Sequence, residues 1–135
     1  MNKQSARNFG IGLTNILLEG AWPDKVQAAI VQARKALETG DEQELWRACT
    51  DAASYTDDAV TTYFARIAAR AAADSAAYVA AHAADSATCS YTCHGEYACY
   101  NARQAMPDQT ARIDALAIEH GGCDRMIHGP CTTSH

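Results

Sequence analysis

Ala65-Arg66-Ile67-Ala68-Ala69-Arg70-Ala71-Ala72-Ala73-Asp74-Ser75-Ala76-Ala77-Tyr78-Val79-Ala80-Ala81-His82-Ala83-Ala84-Asp85-Ser86-Ala87 holds thirteen alanines in twenty-three positions, with neither Gly nor Pro. Alanine loses no side-chain entropy in a helix and buries no polar group. The stretch therefore predicts one long helix, from at least Ala59 to Ala84. Its methyl side chains let neighbouring helices come close, which predicts an all-α fold: a bundle of five to six helices packed around this one.

Flanking punctuation supplies the other helices. Asn2 to Leu18 reads as a first helix weakened by Gly10 and Gly12. Pro23 suits the first turn of a second helix, in which Val26, Ile30, Ala33 and Leu37 recur at helical spacing up to a C-terminal Gly40. Asp41 reads as the cap of a third, with Glu44 three residues on as in a capping box, and Leu45, Ala48, Cys49 and Ala52 form its apolar stripe. Thr56 is the expected N-cap of the long helix, with Asp57 and Asp58 favouring its positive end. Val60, Phe64, Ile67, Ala71, Ser75, Tyr78 and His82 are expected on one buried face. The pattern extends towards Cys89 and Cys93 until Gly95 weakens it. Glu96 to Ala105 and Pro107 to His120 complete the set, and Gly121-Gly122 ends it. No β alternation appears. The expected organisation is one helical domain over residues 1–121 and a Cys/His-containing tail over 122–135.

Composition narrows the function. The chain has 135 residues, a net charge of −5 and sixteen acids against eleven bases, so it lacks the basic face of a nonspecific nucleic-acid binder. Phe9 to Leu18 is too short and too polar to span a bilayer, and no small-residue cleavage site follows it. A cytoplasmic protein is expected, with neither nucleic acid nor membrane as partner. Large apolar residues are few, so a homo-oligomer is expected to help cover the core.

Six cysteines in a reducing compartment point to metal or to packing before disulfides. Cys89 and Cys93 share a helix face and could reach one zinc ion, with Cys123 and Cys131 of the tail closing the site. Alternatively they are small buried hydrophobes, as are Cys49 and Cys99, or they oxidise with the tail cysteines in an oxidising setting. Glu38 to Asp58 carries seven acids against Arg47 alone. Glu42, Glu44, Asp51, Asp57 and Asp58 can be read as a solvated face or as a patch for a basic protein partner. Arg66, Arg70 and Asp74 are spaced four apart, so Arg70 and Asp74 should pair. Arg66, Arg70, Tyr78 and His82 are the candidate binders of a small ligand. His82 reads first as a core histidine, and no phosphate loop, dinucleotide fingerprint or metalloprotease motif is present.

Pro23-Asp24, Ala29-Ile30, Ala33-Arg34 and Gly40, then Arg47-Ala48 and Ala52-Ala53, then Ala68-Ala69-Arg70-Ala71-Ala72 and His82-Ala83 resemble the Imm-five-like immunity protein family of bacterial toxin systems. The resemblance covers Pro23 to Tyr100, with Tyr78 where that family has a second histidine. It implies an alanine-rich all-helical fold and neutralisation of a toxin. Sequence thus ranks first a non-enzymatic protein that neutralises or sequesters a partner, then a Cys/His metal or redox protein, then an enzyme with His82 or His94 as base.

Overall fold

In the computed structural model, residues 3–57, 62–83, 89–122 and 126–127 are described, side chains excepted at 56, 57, 83 and 89–93. Among the described residues six α-helices follow in order: α1 Lys3–Leu17, α2 Asp24–Thr39, α3 Glu42–Ala53, α4 Tyr63–Ala83, α5 Cys89–Ala105 and α6 Thr110–Glu119. Short 3-10 turns lie at Ser54–Asp57 and Pro107–Gln109, and no strand occurs among the described residues. The helices form a bundle with α4 at its centre. None of the described helices is long and apolar enough to cross a membrane.

The turn between α2 and α3 is built as its sequence demands. Gly40 adopts φ 72° and returns its N–H to the Ala36 carbonyl, a left-handed conformation that costs glycine least. Arg7 of α1 donates from Nε to the Leu37 carbonyl at 3.1 Å and from a terminal nitrogen to the Glu38 carbonyl, neutralising the end of α2. The Asp41 carboxylate accepts from the Glu44 N–H at 3.0 Å. The reciprocal half of the capping box runs through a hydroxyl: the Asp41 N–H donates to Thr39 Oγ1, which donates to the Glu44 carboxylate.

Large side chains fill the space between α1, α2 and the centre: Phe9, Leu13, Leu17, Val26, Ile30, Leu37 and Leu45 are all buried. Tyr78 of α4 meets the edge of Phe9 at 5.9 Å between ring centres. Elsewhere small residues make the contacts. Ala29, Ala52 and Ala73 form a cluster where α2, α3 and α4 meet, and Ala98, Cys99 and Ala102 present the buried side of α5.

Three local expectations change. The long helix is capped by Thr62, whose Oγ1 accepts from the Ala65 N–H, rather than by Thr56, which lies in the 3-10 turn after α3. The single buried face from Phe64 to His82 does not hold. Phe64 is 53% exposed and stacks edge-on with the equally exposed Tyr63, whereas every residue from Ala71 to Ala81 is buried, Asp74 and Ser75 included. Between Ala71 and Ala81 small side chains predominate on every side, so neighbours can approach from all directions and this part of α4 is covered all round. The positions Ala59, Val60 and Ala84 lie outside the described residues. Finally, Gly95 does not end a helix. It sits inside α5, where an added Cβ would come within 3.0 Å of the Tyr78 ring. Gly10 plays the same part for α1, where a Cβ would lie 2.8 Å from Leu37.

Beyond residue 121, the Gly122 N–H bonds the Ala117 carbonyl and Met126 is 2% exposed against the core. Arg103 holds that segment by donating to the Met126 carbonyl at 2.9 Å and to Asp114 at 3.0 Å. Met126, beyond residue 121, thus packs against the bundle.

Candidate functional site

The polar cluster that stands out in this alanine-lined interior is centred on Asp74. The residue is 9% exposed and lies where α4 meets α3 and α5. The two long helices run antiparallel, since Asp74 meets Asn101 and, a turn later, Tyr78 meets Gly95. A carboxylate taken out of water needs partners. Asn101 Nδ2 donates to Asp74 Oδ2 at 2.9 Å, a buried bond between helices. Arg70 Nε stands 3.9 Å from the same oxygen, and His94 Nδ1 stands 3.9 Å from Oδ1. The sequence expectation that Arg70 and Asp74 pair is met.

α3 brings the remaining members. Trp46 is 38% exposed and its ring meets that of His94 edge-on at 6.4 Å. Cys49, one turn further along, is half-buried and feels both charges. Burial pushes its thiol up, Asp74 pushes it further, and Arg70 partly offsets them. Raising a thiol suppresses the thiolate, the form that attacks or binds metal, so Cys49 is poorly suited to nucleophilic chemistry. The site therefore offers a recessed negative charge flanked by a guanidinium and an imidazole, with an indole beside the imidazole. Tyr97 and Tyr100 continue the exposed side of α5 from His94.

The residues singled out from sequence are distributed as follows. Of the candidate ligand set, Arg66 and His82 are sixteen residues apart on α4, about 24 Å of helix rise, so the four do not line one cavity. Arg70 belongs to the Asp74 cluster. Tyr78 and His82 stack edge-on at 4.9 Å near the far end of α4. The imidazole of His82 is held below its ordinary range by burial, with the nearby Lys3 charge adding to the effect. Of the acidic set, Glu42 is exposed, Glu44 accepts from Thr39, and Asp51 accepts from Gln32 of α2 at 2.8 Å. The Asp57 side chain and Asp58 lie outside the described residues. Glu44 and Asp51 are thus each engaged by a local donor.

Cys89 and Cys93 fall in the first turns of α5, but their side chains, like Cys123 and Cys131, lie outside the described residues. Among the described residues no group of three or more His, Cys, Asp or Glu could hold a metal ion. Cys99 is fully buried, as the packing reading expects.

Sequence reading missed Trp46 and Asn101 as members of a site. A signal for Asn101 existed: it interrupts the small-residue stripe Ala98, Cys99, Ala102, Ala105 with an amide, and a polar group on a buried face requires a partner. Which partner could not be read, since Asp74 lies 27 residues away. No family model matches the chain, and neither a curated protein nor a solved structure matches it.

Proposed function

We propose that the chain is a non-catalytic binding protein whose α3–α4–α5 surface receives a basic segment of a protein partner. The observation that carries this reading is the recessed Asp74 carboxylate beside His94, whose ring meets that of partly exposed Trp46, with exposed Tyr97 on the same helix as His94. Aromatic residues around a desolvated charge are the residue types that anchor protein interfaces. A lysine or arginine brought to Asp74 would gain a carboxylate below and aromatic faces beside it. The chain's net charge of −5 would speed its encounter with a basic protein. Neutralising a toxin, which the Imm-five-like resemblance implies, is one form of this activity, exercised inside the cell.

The alanine faces of α4 are covered within a single chain, so a second copy would dock on exposed side chains such as Tyr63, Phe64 and Ile118.

Photo-crosslinking in the producing cell tests the proposal. A photoreactive phenylalanine derivative replaces Trp46, Tyr97 or, as a control, Ile118. Adducts to one basic protein from positions 46 and 97 only, weakened by Asp74→Asn, support the reading. No adduct at 46 or 97, or the same adducts from 118, overturns it.

A further inference from the structure

Acids outnumber bases in this chain by sixteen to eleven, and its surface hollows reflect the mixture. The one between α2 and α3 has Lys35 and Arg47 together with Glu44. The groove between α1 and α6 has Arg112 together with Glu119. A third hollow differs. It has a volume of about 320 Å³ and is lined by Lys3, Gln4, Arg7, Thr39, Gly40 and Val79, two cations and no acid. Its size falls at the lower end of ligand-sized cavities, roughly 300–1,000 Å³.

The local chemistry fits a small anion with an apolar body. Arg7 already answers the carbonyls at the end of α2 through the bonds from its side chain to Leu37 and Glu38. That removes the acceptor-rich helix end that would otherwise repel an anion. Gly40 leaves the space beside the guanidinium open: a Cβ there would lie 3.2 Å from Arg7 Nε. Val79, 2% exposed, is the apolar residue of the lining, and Lys3 and Gln4 supply donors from successive positions of α1.

From this we infer that the hollow between the start of α1, the end of α2 and α4 binds a small organic carboxylate, its charge on Lys3 and Arg7 and its hydrocarbon against Val79. The site is separate from the Asp74 cluster and does not depend on the protein-partner reading.

Titration of the ¹⁵N-labelled full chain with hexanoate, followed by NMR, tests it. Saturable shifts are expected at the Gly40 amide, Arg7 Nε–H and the Gln4 side-chain amide. Hexanamide, equal in shape but neutral, should bind at least about tenfold more weakly, because the charge-assisted hydrogen bonds are lost. Lys3→Gln should weaken hexanoate by a similar factor without altering the rest of the spectrum, since Lys3 is exposed. Equal binding of hexanamide, shifts centred elsewhere, or no saturable shift into the tens of millimolar overturns the assignment. Inorganic phosphate binding more tightly than hexanoate would also overturn it, since Val79 would then contribute nothing.

Discussion

α4 is packed in two different ways along the bundle. Towards α1 and α2 it meets Phe9, Leu13, Leu37 and their neighbours, a region of long side chains with Tyr78 and Val79 as its own contribution. Towards α3 and α5 small residues predominate, among them Ala52, Ala98, Cys99 and Ala102. The first region is stabilised by apolar area, the second by the closeness of backbones. The second also carries the recessed polar cluster, because only where helices lie close can Asp74 be reached from Asn101, His94 and Arg70 together. The two regions should therefore fail in opposite ways, one when side chains shrink and the other when they grow.

Truncation in the large-residue region should have the greatest effect. Leu13→Ala leaves a cavity at a fully buried position and should cost about 2–5 kcal/mol in urea unfolding. A smaller loss would mean that α1 collapses onto α2 to close the space. In the small-residue region Ala73→Leu should cost about 1–3 kcal/mol by overpacking against Ala29 and Ala52. A neutral result would show that this contact is looser than the other, and the comparison would fail.

The polar cluster gives a finer test. Asp74→Ala leaves the Asn101 amide without its carboxylate and should cost about 1–3 kcal/mol. The double variant Asp74→Ala/Asn101→Ala should recover part of that loss. Additive losses in the cycle would show that the 2.9 Å bond contributes nothing of its own.

The smallest expected effect lies at the Tyr78–His82 end. Because the folded chain holds His82 below its ordinary range, the unfolded chain takes up that proton first. Stability contributed by the neutral imidazole is fully present above the ordinary histidine value of about 6.5 and is lost as pH falls below it towards the lower value of the folded chain. Melting temperatures of His82→Gln should show a shallower decline between neutral and mildly acid pH than the parent. Parallel curves would place the acid sensitivity elsewhere.

The helical class, the Gly40 and Asp41 caps and the Arg70–Asp74 pair were all legible in the sequence, because each rests on spacing within one or two turns. Thr62 was not legible as the cap of α4, since Thr56 with its two following acids offers the stronger local signal and the 3-10 turn that takes up Thr56 is a tertiary outcome. Gly10 and Gly95 looked like weak points because helix propensity counts only backbone entropy. In the bundle each admits a neighbour's side chain, Leu37 in one case and Tyr78 in the other. The candidate site divided in the same way. Local pairing placed Arg70 beside Asp74, but Trp46 comes from α3 and His94 and Asn101 come from α5, and no spacing in the sequence says that those helices meet at Asp74.

The enclosure of Ala71 to Ala81 in α4 bears on how the chain reaches its native state. A helical stretch with no solvent face cannot finish burying itself until segments on both sides of it in the sequence have arrived. A bundle still awaiting α5 would uncover mainly the methyl groups of α4 on that side. Exposed apolar area costs roughly 25 cal/mol per Å², so an incomplete bundle of this kind presents far less sticky surface than one awaiting leucines. An alanine-built centre thus trades driving force for tolerance: assembly is late, but its unfinished forms have little with which to aggregate.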